Sequence, residues 1–144
     1  MAAGPRHILY TPADLGLSEV DTNSAATTTG NVVSIDGAIA LCFYVTVSAA
    51  ATATADFIIR PFMNGVAESN NILLNASATP FVLTSKSGTT FSMGPGVGAE
   101  QTPSGQITNV CASLIGMQEI RPAISIAGVA VGSVSLSLYA LIGR

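Results

Sequence analysis

His7 is the only histidine in the chain, and Cys42 and Cys111 are its only cysteines. Nucleophilic or metal chemistry would have to draw on these three. A Cys–His or Ser–His pair needs the imidazole within hydrogen-bond reach of the nucleophile and oriented by a third group. His7 stands in a stretch without sustained periodicity, a poor place for a pre-organised base, and no Gly-x-Ser-x-Gly elbow is present. The cysteines lie 69 residues apart, which is neither a CxxC pair nor zinc-knuckle spacing. They read as small hydrophobes, with one bridge between strands left geometrically open. Asp21-Thr22-Asn23 begins like a calcium loop but lacks the later ligands and the glycine. Gly94-Pro95-Gly96-Val97-Gly98-Ala99 satisfies a dinucleotide pattern, yet turn formers follow it where a helix would have to start. No spacing selects a carboxylate pair among the eight acids. The expectation is a protein that is not an enzyme, with no catalytic residue, cofactor or metal.

The elements that would position such residues are under-charged. Only 13 of 144 side chains are charged, for a net charge of −3, where an average domain of this size carries roughly 36. Leu, Ile, Val and Phe number 40, enough for a collapsed core. A folded monomer of this mass exposes on the order of 6,900 Å², so the charges stand roughly one per 530 Å². Either Ser and Thr coat the surface or partners cover much of it. The five bases are scattered singly, which excludes the dense patch that nucleic acid requires. The N-terminus lacks the apolar run of a signal peptide, so none is expected. Residues 37–55 and 122–143 are long enough and uncharged enough to cross a membrane as helices. Their interiors alternate with period two, as strands with one buried face do, so no membrane span is expected.

Residues 1–30 carry two prolines, three acids and the small polar tract Ser24–Gly30, and read as an extended N-terminal arm. One short helix is expected in it, with Thr11 as N-cap, Pro12 in the first turn, Asp14 three residues after the cap and Gly16 as its limit. From residue 31 to 144 about eight or nine strands follow, separated by turn signals. Asp36-Gly37 and Asn64-Gly65 are read as hairpin turns, and Gly94–Gly105 as a loop between two halves. In 39–47, Ile39, Leu41, Phe43, Val45 and Val47 are expected to face inward. Pro61 should mark an edge or a bulge. The fold class is all-β: an antiparallel β-sandwich or jelly roll with an N-terminal arm, dispensable for folding. Candidate partner-binding residues are His7, Ile8, Leu9, Tyr10, Leu15 and Leu17 in the arm, with Tyr44 and Tyr139 on the outer phases of their strands.

The closing segment Glu119-Ile120-Arg121-Pro122-Ala123-Ile124-Ser125-Ile126 leads through Gly128 and Gly132 into Val134-Ser135-Leu136-Ser137-Leu138-Tyr139-Ala140-Leu141-Ile142-Gly143-Arg144. It resembles the C-terminal hairpin of small tailed-phage structural proteins, in which an Ile-Arg-Pro stretch, a glycine-rich turn and an alternating last strand close a sandwich. With its Ala/Thr/Ser/Gly bias, the chain resembles a tailed-bacteriophage head decoration (cement) protein. The likeness covers 26 residues and carries no functional residue to transfer. It implies a viral structural protein of the capsid surface, assembled in the host cytoplasm. Its partners would be the major capsid protein and itself, as a homotrimer or another oligomer bridging neighbouring capsid subunits, with the arm contributing contacts. The sparse charge and a mean hydropathy of +0.56 point the same way, because obligate oligomers are more apolar at their contacts. The alternative is a receptor- or glycan-binding head domain of a phage fibre or spike, with its pocket in the 64–70 or 94–105 loops.

Overall fold

A computed structural model describes residues 6–49, 52–63, 66–67, 72–73, 81–83, 87–94, 97–102 and 118–142. The chain runs β1 (Arg6–Tyr10), α1 (Pro12–Leu15), β2 (Val20–Asp21), β3 (Thr27–Thr29), β4 (Val33–Ser34), β5 (Ala38–Ser48) and β6 (Thr54–Met63). It continues through β7 (Val66–Ala67), β8 (Ile72–Leu73), β9 (Phe81–Val82), β10 (Ser87–Gly94), β11 (Val97–Thr102), β12 (Glu119–Gly128) and β13 (Ser133–Ile142). Sheet I has the order β1-β13-β5-β10-β11, with β2 also on β13. Sheet II has the order β3-β12-β6-β7, with β4 on β12 and β8 and β9 on β6. Every strand pairing is antiparallel. The protein is an antiparallel β-sandwich.

Alternation makes the sandwich. On β13, Val134, Leu136, Leu138, Ala140 and Ile142 are buried while the residues between them are half-buried or exposed. On β5, Leu41, Phe43, Val45 and Val47 face the same core, which Phe57 and Ile59 of β6 and Ile120, Ile124 and Ile126 of β12 complete from sheet II. Full burial of each such side chain contributes roughly 1.5–3 kcal/mol. Ile39 departs from the expected phase and is 43% exposed. The register explains it: Leu141 pairs with Ala40 and Ile142 with Ala38, leaving Ile39 as the extra residue of a bulge.

The pairings are nested. β5 lies on β13 in sheet I and β6 on β12 in sheet II, so consecutive strands change sheets at both ends of the chain. Two expected hairpins are therefore corners. At Asp36-Gly37, Ala38 donates its N–H to Ile35 carbonyl at 2.8 Å, closing a tight turn. Only its second central residue has positive φ, Gly37 at 80°, which is the type II pattern and not type I′. β4 before it belongs to sheet II and β5 after it to sheet I. Likewise β12 and β13 do not pair with each other, so the closing segment is no hairpin. β6 and β7 pair with Met63 opposite Val66, while the expected turn residues Asn64 and Gly65 lie outside the described residues. Most of the expected loop 94–105 is instead half of a hairpin, since β11 pairs with β10 from Thr102 to Val97. The expected strand 107–115, with Cys111, lies outside the described residues. Pro61 sits where the outer partner of β6 changes from β8, at Ile59, to β7, at Phe62, so its missing N–H costs no ladder bond there.

The first thirty residues are not an arm leaving the body: from Arg6 onward they build into both sheets. β1 and β2 lie along β13, and β3 and β4 along β12, on the sides opposite β5 and β6. The expected helix forms with its full capping box: Thr11 N–H donates to Asp14 Oδ2 at 2.9 Å and Asp14 N–H to Thr11 Oγ1 at 3.2 Å. Gly16 ends it in the left-handed conformation, φ 70°. Leu15 and Leu17 then enter the core at 0% exposure. The tract expected to be a linker contains β3 and ends at Gly30, whose N–H donates to Pro122 carbonyl at 2.8 Å. A Cβ there would run into the carbonyl oxygens of Leu15 and Pro122, so only glycine lets the three segments meet.

Candidate functional site

The outer face of sheet I gathers four of the expected contact residues. Leu9 of β1 is opposite Tyr139 of β13, and Tyr139 is opposite Cys42 of β5, so the three form one row across the sheet. The adjacent row is His7–Leu141–Ala40, and on the other side Ser137 faces Tyr44. Side chains directly opposite stand about 4.5–5.5 Å apart between Cβ atoms, which makes these rows a continuous surface. Leu9 is 46% and Tyr139 44% exposed; Tyr44 is exposed at the patch margin and Ile39 emerges beside the His7 row. His7, Ala40, Leu41, Cys42, Tyr139 and Leu141 line a groove of about 330 Å³. Further along β13 the same face turns polar: Ser137, Ser135 and Ser133 lie opposite Tyr44, Thr46 and Ser48. The face is therefore divided into an apolar end and a hydroxyl-bearing end.

The other expected contact residues are elsewhere. Leu15 and Leu17 are core, which corrects their assignment to a partner surface: their side chains have no solvent face to offer. Ile8 and Tyr10 take the opposite phase of β1 and pack, partly buried, against the core. Tyr10 hydroxyl donates to Ser34 carbonyl at 2.5 Å, and burial, then the nearby Asp14 charge, push its pKa above the ordinary tyrosine value. Ala40, Cys42 and Leu141 complete the groove and were not among the expected contacts. Their outer phase was legible in the strand alternation; that β1 would lie beside them was not.

A second apolar exposure lies at the far end of β13, where Val129 and Val131 (78% exposed) follow β12. Thr22 anchors that turn from beneath: its N–H donates to Gly132 carbonyl at 3.0 Å and its hydroxyl to Ala130 carbonyl at 2.6 Å. Asp21 Oδ1 accepts Asn23 N–H at 2.7 Å, so this triplet serves a turn. No group of three or more metal-ligating side chains clusters among the described residues. No helix among them is long and apolar enough to cross a membrane.

The sequence matches no protein-family profile and no curated protein. The fold does match solved structures. Over 96% of this chain it is similar to VP2 of infectious bursal disease virus in a subviral particle, with TM-score 0.56 and 13% identity, covering 33% of that chain. Particles described as T=1 and derived from the same virus match at TM-score 0.53 and 17% identity, covering 32% of that chain. This chain thus spans about a third of the length of those proteins, and what it shares with them is the two-sheet fold. A protein from the SPBc2 prophage, YomS, aligns over 98% of this chain and 97% of its own at TM-score 0.45 and 10% identity.

Proposed function

We infer that this chain is a viral structural protein that assembles through the apolar end of sheet I. Its specific role is decoration of a phage capsid, in which a homotrimer bridges neighbouring major-capsid subunits at the virion surface. The observation that carries this is the row Leu9–Tyr139–Cys42 with its flanking groove, a contiguous apolar surface on a sandwich of the kind VP2 uses. Exposed apolar patches of this sort mark interaction sites. The patch and the Val129–Val131 turn are at opposite ends of β13, about 30 Å apart at strand rise. Two unlike patches on one subunit suit a heterologous contact, which closes into a ring when the rotation permits, as a trimer requires.

The test mixes purified protein with undecorated capsids of a tailed phage and images them, alongside sedimentation of the protein alone. Density at three-fold or quasi-three-fold positions and a trimeric sedimentation coefficient are expected. Tyr139→Lys places a charge in the centre of the patch and is expected to abolish both while leaving the circular dichroism spectrum unchanged. A chain that stays monomeric at high concentration and ignores capsids refutes the proposal.

A further inference from the structure

The outer face of sheet II carries a different kind of surface. Arg121 of β12 and Arg60 of β6 are registered partners, so two guanidinium-bearing side chains stand directly across from each other. Like charges in this position are destabilising unless something lies between them. Among the described residues no ion pair or hydrogen bond engages either one, and Arg121 Nε is buried without an acceptor. The Arg121 guanidinium carbon is 5.5 Å from the centre of the Phe62 ring, which holds the side chain against the sheet. Glu119 shares this face of β12, one row away beside Phe62, and forms no ion pair with either arginine.

Both arginines border a cleft of about 180 Å³ whose other walls are Thr27, Thr29, Ile58 and Ala123. The register shows why it exists. The row next to the arginines is Thr29–Ala123–Ile58, and a methyl group at its centre leaves a depression. Thr27 hydroxyl, 2.9 Å from Ser125 Oγ, bounds the next row. Two cations without an ion-pair partner among the described residues, an orphaned N–H donor and threonine hydroxyls around one depression are the donor set for an oxyanion. Arginine forks match the paired oxygens of carboxylate and phosphate.

We propose that Arg60 and Arg121 form an oxyanion site that binds a carboxylate or phosphate group in this cleft. The group comes either from a small free anion or from an acidic side chain of a second copy of this chain. The site is on the opposite sheet from the assembly patch and stands independently of the decoration role. Binding offsets the repulsion between the two guanidiniums and satisfies Arg121 Nε.

The test titrates inorganic phosphate and citrate into the full-length protein by calorimetry, against chloride at matched ionic strength, with Arg60→Gln as the variant. Arg60 is exposed, so the substitution leaves the core untouched. In parallel, sedimentation velocity over a range of concentrations compares the two proteins. Saturable binding weakened at least tenfold in Arg60→Gln supports the site with a free anion as its ligand. Absence of small-anion binding, together with self-association that Arg60→Gln weakens and phosphate competes away, supports it with a second copy as the source. Anion binding that survives Arg60→Gln, or two proteins indistinguishable in both measurements, overturns it.

Discussion

Leu17 decides whether the N-terminal residues belong to the body. Its side chain is fully buried, its N–H donates to Pro12 carbonyl at 2.9 Å, and its own carbonyl accepts Leu136 N–H of β13 at 3.2 Å. Leu17→Ala removes three carbons, worth about 2.4 kcal/mol at ~0.8 per methylene. Incomplete collapse of the resulting cavity brings the loss to roughly 3–4 kcal/mol. An unfolding entropy of about 2.1 cal/mol/K per residue over this chain converts that into a Tm lower by about 10–13 °C. The assay is thermal unfolding followed by calorimetry and circular dichroism. Leu9→Ala, compared at concentrations where both proteins are monomeric, is the control: the same truncation at a half-exposed site is expected to cost at most about 1 kcal/mol. Deleting residues 1–30 is expected to abolish cooperative unfolding altogether, because it strips β1 to β3 from β13 and β12 and leaves long strands with bare edges. A Leu17→Ala protein within about 2 °C of wild type, or a deletion that still unfolds cooperatively near the wild-type Tm, would sink this reasoning and restore the arm.

Gly30→Ala is expected to destabilise by about 2 kcal/mol or more, since the new methyl meets two backbone oxygens that hydrogen bonds hold in place; urea unfolding reads it directly. Asp14 is held below the ordinary carboxylate value by the Thr11 backbone N–H and secondarily by the Thr11 hydroxyl. Its cap therefore contributes fully above about pH 4 and fades as pH falls through the lower folded value. The stability gap between wild type and Asp14→Ala should accordingly be constant at neutral pH and narrow in acid. Tyr10 has the opposite sign: with its folded pKa raised, its bond to Ser34 persists below pH 10 and is lost as pH rises through the folded value. Ultraviolet titration of Tyr10→Phe should lack the component that ionises above the ordinary tyrosine range, and its stability deficit should close in alkali.

Much of the anatomy was written locally. The Thr11-Pro12-Asp14-Gly16 helix needs only hydrogen bonds and φ values within six residues, and it formed as expected. The period-two runs on β5 and β13 had to bury one face whatever they paired with, so the core and the outward phase of Tyr44, Cys42 and Tyr139 were legible from alternation. Pairing was not. Leu9 meets Tyr139 across 130 positions, and no local propensity encodes that choice. Asp36-Gly37 signals a turn in either a hairpin or a corner, and only the sheets decide which. The bulge that exposes Ile39 belongs to the register of β5 against β13.

The sequence by itself determined an all-β chain with too few charges for its surface, and placed apolar and small polar residues on opposite strand faces. Tertiary structure alone decided that residues 6–30 supply edge strands and core. It also set His7, Cys42, Tyr139 and Leu141 around one groove and Arg60 against Arg121. The reason is physical: side-chain direction follows from each residue's own backbone, while neighbours across a sheet follow from which distant segments close on one another.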